Sequence, residues 1–388
     1  MTRLSWLIAC QAEGISERGG RMWRVSFGSR RAPDRIWSPK RAPGRGAELS
    51  SKITIHDVAR QSGVSIKTVS RVLNREPNVK ADTRDRVQAA VTALQYRPNI
   101  SARSLAGSKA YLIGVFFDNP SPGYITDVQL GAIARCREEG YHLIVEPLDS
   151  TADDIEDQVA PMLATLRMDG VILTAPVCDH PVVLAALERE AVPYVRISPG
   201  SELDRSARVG MDDRLAAYQM TMHLIALGHR DIGFIIGHPD HGASHLRHAG
   251  FLAAMADSGL TVRPERVEQG HFSFRSGFEA AERLLTGDDR PTAIFASNDD
   301  MALGVMAVAN RLRLNVPETL SVAGFDDTPG ARVVWPQLTT VRQPIAAMAA
   351  AAADMLLSGV SWEDGALPPS KLLDFELVVR ESTGQAAP

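Results

Sequence analysis

The chain has 388 residues, 45% hydrophobic and 23% charged, enough for two or three ordinary globular domains. No apolar run approaches the roughly 20 residues of a membrane span, and Cys10, Cys136 and Cys178 are scattered without a CxxC. Those features argue against a membrane protein, a disulfide scaffold or a zinc ribbon, and for a reducing, cytoplasmic location. The net charge of −4 hides an asymmetry: +6 over residues 1–51, +7 over 52–109 and −17 beyond. A basic head on an acidic body directs the head at phosphate.

Residues 1–51 are rich in Arg, Gly, Ser and Pro and have no helical or strand period. They read as a disordered basic extension in preference to an arm with phosphate contacts. WLIAC is too short for a secretory core.

A compact unit over 52–97 follows. Val58 and Ala59 supply the apolar face of a first helix, and Gly63 allows a tight turn. Ser65 suits the N-cap of a second helix, through its hydroxyl. Val69, Val72 and Leu73 turn that helix inward, which leaves Ile66, Lys67, Ser70 and Arg71 outward. Val87, Ala90, Val91 and Leu94 repeat at helical spacing in a third, with Pro98 as its stop. Two short helices across a glycine turn, braced by a third, form a helix-turn-helix. Lys67 and Arg71 lie on one face, where long cations reach guanine edges; an apolar Ile66 suits a thymine methyl.

Pro98 to Gly107 is short and helix-compatible, marginal as an isolated helix. It reads as a hinge over 98–110. A leucine such as Leu105 suits a wedge between minor-groove base steps. DVARQSGVSIKTVSRVLN and SLAG resemble the lactose-repressor (LacI/GalR) family, and the resemblance runs from about Ile53 to Thr383. It implies that Leu105 is the intercalating hinge residue and that Ser65, Ile66, Lys67, Thr68, Ser70, Arg71, Asn74 and Asn99 belong to the DNA-binding set.

From Tyr111 the pattern alternates. LIGVFF, HLIVEP, GVILTA, PYVRIS, IGFIIG, AIFASN and SVAGFDD read as strands, with helices between most of them. Continuous apolar strands alternating with helices indicate parallel sheets buried on both faces, too many for one doubly wound domain. The expected class is therefore α/β: a helix-turn-helix head plus a two-lobed domain over 111–388 with two doubly wound parallel sheets. The family resemblance implies a periplasmic-binding-protein-like fold, with lobe one about 111–209 plus 344–370 and lobe two about 210–342 plus 371–383.

Ligands of open α/β sheets sit beyond the carboxyl ends of the strands. The residues there are Asp118, Asn119, Ser198, Asn298, Asp299, Asp326 and Asp327, a mix of carboxylate, amide and hydroxyl that suits sugar hydroxyls. RHAGF, ASNDDMALG, VAGFDD and LTTVRQP match family motifs around the effector pocket. By that resemblance Arg247 and Asp326 grip the effector, Asn298 is a pocket amide, Phe272 a pocket aromatic, and Gln343 lies at a lobe crossing. Ser198 falls where lactose-responsive members place an aspartate. Each has a plainer alternative: Asn298 or Asp326 as a cap or turn brace, Phe272 as core, Arg247 as an ion-pair partner.

His238, His241, His245 and His248 are crowded but lack the geometry of a zinc site, and read as exposed loop residues, one of them bordering the ligand. There is no GxGxxG after the first strand, P-loop, GxSxG or HExxH, so no enzyme and no cofactor are expected. The expectation is a homodimer that binds a near-palindromic operator and a small sugar-like effector, most simply a repressor of carbohydrate use. A tetramer is disfavoured because STGQAAP carries no heptads. The alternatives are a purine-type co-repressed regulator, a sugar-binding transport protein and a sugar-active enzyme.

Overall fold

The structure, a computed structural model, describes residues 53–73, 78–96, 109–359 and 366–386, so Asn74, Asn99 and Leu105 lie outside the described residues. It divides into two units, up to Tyr96 and from Arg97 onward.

In the first unit α1 spans Ile55–Ser62, α2 Ile66–Leu73 and α3 Ala81–Ala93. The backbone N–H and hydroxyl of Thr54 both donate to Asp57 Oδ2, at 3.0 and 2.8 Å, and fasten the start of α1. Gly63 ends α1 at φ 68°, a left-handed conformation that a side chain would strain. Val58, Val69, Val72, Val87 and Ala90 form one buried cluster, with Leu73, Val91 and Leu94 packed against it. The inward face of α2 is as expected. The stop of α3 is not: the helix ends at Ala93, before Pro98. Gln95 turns left-handed at φ 50° and the Tyr96 N–H closes onto the Val91 carbonyl.

The second unit holds two parallel sheets. In lobe one β1 (Leu112–Phe117), β2 (His142–Pro147), β3 (Gly170–Thr174), β4 (Tyr194–Ile197) and β5 (Arg208–Gly210) alternate with α4 (Pro122–Glu138), α5 (Ile155–Leu166) and α6 (Pro181–Arg189). Alternate residues of one strand enter different cores. Ile113 and Val115 join Val128 and Ala132 of α4, whereas Phe116 joins Val159 of α5 and Leu184 of α6. That two-sided burial is why these strands read as unbroken apolar runs.

After β5 the chain crosses into lobe two through α7 (Asp213–Ala226). Lobe two is β6 (Ile232–Ile236), α8 (Gly242–Asp257), β7 (Val267–Gln269), α9 (Phe274–Leu285), β8 (Ala293–Ala296), α10 (Asp299–Arg311), β9 (Ser321–Ala323) and α11 (Pro329–Val333). Phe234 and Phe295 pack with Phe251 of α8, and Ile235 and Ile294 with Leu284 of α9 and Val305 of α10. The chain returns through β10 (Thr340–Arg342) to α12 (Ile345–Leu357) and β11 (Ser370–Leu372), then crosses again at β12 (Glu376–Val378), antiparallel to β10.

The strand orders are β11-β5-β4-β3-β1-β2 and β7-β6-β8-β9. Because β11 pairs with β5, and Leu373 N–H still donates to the Gly210 carbonyl, the last crossing begins after Leu373, a little beyond the expected boundary at 370. Among the described residues no helix is long and apolar enough to cross a membrane.

Candidate functional site

The carboxyl ends of the strands of both lobes meet at one small cavity of about 30 Å³. Lobe one contributes Asn119 after β1, Ser121 and Tyr124 at the start of α4, Ala175 after β3 and Ser198 after β4. Lobe two contributes His241, Ala243, Arg247, Phe272, Asn298 and Asp326, and the crossing contributes Gln343. Asn119, Ser198, Arg247, Phe272, Asn298, Asp326 and Gln343 therefore line one space as expected, whereas the Asp327 carboxylate is held by Arg332, Arg342 and Arg380. Asp118 does not line it either: its carboxylate accepts from the Ser150 N–H and hydroxyl, at 3.0 and 2.6 Å, and braces a loop instead. Asn298 lines the wall but takes the plainer role, since its Oδ1 caps α10 at Met301 N–H and its Nδ2 donates to the Phe272 carbonyl.

Arg247, the sixth residue of α8, is buried at the centre. Its Nε donates to Asp213 Oδ1 at 2.8 Å and one terminal nitrogen to the Ser297 carbonyl at 2.6 Å. That same nitrogen stands 3.9 Å from Asp326. The guanidinium carbon lies 3.6 Å from the Phe325 ring centroid, a stacked cation–π contact. Asp326, at φ 119°, accepts a 2.5 Å hydrogen bond from Gln343 Nε2. Burial drives its carboxyl well above the ordinary range, against the pull of Arg247; burial also raises Asp213.

Asp299, behind the cavity, accepts from Thr340 Oγ1 and Thr328 N–H, at 2.6 and 2.7 Å, yet burial pushes its carboxyl up to about 7. A carboxyl raised from 3.8 to about 7 on folding costs stability as pH rises through that window, because only the unfolded form has released its proton. Asp299→Asn is therefore expected to gain stability relative to the parent between pH 4 and 7, with no further gain above. Urea unfolding at four pH values checks this; a gap that widens toward acid would reverse the sign.

The loop carrying Ser198 is held from inside. Arg196 of β4 is fully buried, with Nε on Ser206 Oγ at 2.8 Å and a terminal nitrogen on the Ser201 carbonyl at 3.0 Å. Asp179 accepts the Gly200 N–H at 2.7 Å. An arginine inside PYVRIS carried this signal in the sequence.

His241 was also under-read. It is 4% exposed, not a surface histidine, and its ring lies 5.2 Å from those of His238 and Phe272. Burial, with the charges of His238 and Arg247, lowers its pKa to about 3. Among the described residues no group of His, Cys, Asp and Glu is arranged to hold a metal.

On α2 the structure sorts the expected DNA-facing residues into two kinds. Ser65 Oγ accepts the Thr68 N–H at 3.1 Å and shares a 2.9 Å hydrogen bond with the Thr68 hydroxyl, so these two form the cap. Ile66, Lys67 and Arg71 are exposed, and Ser70 is half-buried.

These two features, a helix-turn-helix with an exposed cationic helix and a two-lobed α/β domain with a cleft, define a ligand-responsive DNA-binding protein. Comparison with known proteins agrees. Residues 54–99 match the model of bacterial regulatory proteins, lacI family, and 221–383 that of a periplasmic binding protein-like domain. The chain is 36% identical to catabolite control protein A of Priestia megaterium, over 78% of this chain and 91% of that protein. It is 33% identical to the transcriptional repressor PurR of Erwinia tasmaniensis, over 79% and 90%. A Lac repressor dimer bound to operator and an anti-inducer superposes with a TM-score of 0.69, at 30% identity over 86% of this chain and all of the other. A complex of the regulator CelR with cellobiose gives 0.65, at 28% identity over 85% and 99%. The chain belongs to the lacI family of bacterial regulatory proteins, and it is a DNA-binding transcriptional repressor. That family is one of regulators, not of enzymes.

Proposed function

We propose that this repressor controls carbohydrate-use genes and is released from its operator by a small sugar-like effector held between the lobes. Residues 52–97 are the reading head, 98–110 the hinge and 111–388 the effector-binding and dimerisation domain. The observation that carries the reading is the cavity wall: Phe272 offers an apolar face, and Asn119, Ser198, Arg247, Asp326 and Gln343 offer donors and acceptors around it. A cavity of about 30 Å³ holds only one or two waters. A sugar must therefore part the lobes or move their loops, which couples occupancy to lobe geometry. The test is an operator gel shift with and without each sugar of a thermal-shift screen. A sugar that stabilises the protein and releases DNA supports the reading; a ligand that tightens DNA binding would make it a co-repressor.

On the head, Lys67 and Arg71 are the base-reading residues, with Ile66 and Ser70 beside them. Lys67→Ala and Arg71→Ala are each expected to weaken operator binding by about 1–3 kcal/mol while nonspecific DNA is affected less. Equal weakening on random DNA would assign both to phosphate. Leu105 is the hinge wedge, expected to matter for a kinked operator only.

Dimerisation uses lobe two. Trp335, 79% exposed, borders an apolar groove with Phe274, Leu303 and Met306, and Val333 two residues before it is 82% exposed. A solvent-facing patch of this kind fits a subunit interface. Trp335→Glu is expected to give a monomer by sedimentation, with operator affinity reduced; an unchanged dimer would place the interface elsewhere.

A further inference from the structure

Several polar groups on the cavity wall are not used by the protein. His241 and Tyr124 come from opposite lobes, both line the cavity, and neither side chain makes a hydrogen bond among the described residues. Ser121 Oγ, buried beside them, has no partner at hydrogen-bond distance; burial raises the nearby Asp300 carboxyl, and Ser121 only partly opposes that. A buried hydroxyl left without a partner, as in Ser121, costs free energy, and together with His241 and Tyr124 it lines the space that a ligand would enter.

The charges on the wall narrow what that is. Arg247 is the one permanent cation among the described lining residues, and it is already engaged by Asp213, the Ser297 carbonyl and the approach of Asp326. His241 stays neutral near pH 7, held so by burial and by the positive charge of Arg247. An incoming carboxylate or phosphate would find no free cation on this wall. A neutral imidazole, a phenol and a serine hydroxyl each donate and accept, as does the hydroxyl of a polyol.

We propose that the effector is an uncharged, hydroxyl-rich molecule, and that His241 selects it by donor–acceptor pairing, against uronates and sugar phosphates. This rests on the carbohydrate reading above and narrows it to one charge class.

Melting and calorimetry of the full chain test it with D-ribose, D-galactose and cellobiose as uncharged probes. D-Galacturonate and glucose 6-phosphate are the anionic probes, and hypoxanthine is the nucleobase. An uncharged sugar is expected to bind best. His241→Ala is expected to lose at least tenfold of that affinity, the usual effect of one unpaired polar group. His241→Gln, which keeps a donor and an acceptor, is expected to retain most of it. His241→Arg is expected to admit the anionic probes. Unchanged melting and operator binding of the ligand-free variants would show that they fold. A wild-type protein that prefers an anionic sugar to every uncharged one overturns this inference alone, as does a His241→Ala variant with wild-type affinity. Binding of hypoxanthine and of no sugar overturns the carbohydrate reading, and this inference with it.

Discussion

Arg247→Ala is expected to lower the stability of the effector domain by about 3–5 kcal/mol, the usual result of removing one partner from a buried ion pair. The side chain is 4% exposed and lies between two carboxylates, Asp213 at 2.8 Å and Asp326 at 3.9 Å, with its plane on Phe325. Without it two buried carboxyls lose their compensating charge, the Ser297 carbonyl loses its donor, and the stacked face of Phe325 is left with a void. From the sequence Arg247 reads as an effector-gripping residue, with an ion-pair role as the plainer alternative. The structure makes it part of lobe two first, so Asp326→Asn is the cleaner variant for ligand response. Thermal and urea unfolding of Arg247→Ala decide the matter. A loss below about 1 kcal/mol would mean that Asp213 and Asp326 tolerate burial as neutral acids.

Gly242→Ala is expected to act on lobe closure and on little else. The lobes touch backbone to backbone there: a Cβ on Gly242 would stand 2.3 Å from Gly200 Cα, and one on Gly200 would stand 2.6 Å from Gly242 Cα. Gly242 opens α8, where alanine is a better helix former than glycine. Only the closed arrangement objects to the added methyl. Overpacking of this kind costs about 1–3 kcal/mol, and the ligand-free arrangement, whose cavity is too small for a sugar, carries that cost, so the variant is expected to melt lower and to bind effector roughly ten- to hundredfold more tightly. Calorimetry with the sugar that the screen returns measures it. Wild-type affinity would show that this contact survives in the bound state.

Local pattern was enough for the elements with strong periods. The seven apolar runs all became strands, and in the central ones, such as β3, burial on both faces requires apolar residues whatever surrounds them. The helix-turn-helix was equally legible, since its core is built from neighbours in sequence: Val58, Val69, Val72 and Val87 lie within thirty residues of one another. The placing of pocket residues beyond strand ends brought Asn119, Ser198, Asn298 and Asp326 to one cavity, because parallel sheets put those ends on one side.

What only the tertiary structure decided depends on partners distant in the chain. The three-residue strands β5, β7 and β10 to β12 are too short to show a period, and the pairing of β11 with β5 and of β10 with β12 comes from the crossings between lobes. Whether a polar side chain at a strand end serves a ligand or the protein was settled by its neighbours. Ser150 captured Asp118, the start of α10 captured Asn298, and Asp213, 34 residues away, captured Arg247. His241 and Tyr124 were left unclaimed, and no residue adjacent to either in the sequence says so. A hydrogen bond is local in space and not in sequence, so residue type can nominate a site while only packing shows which of its groups remain free.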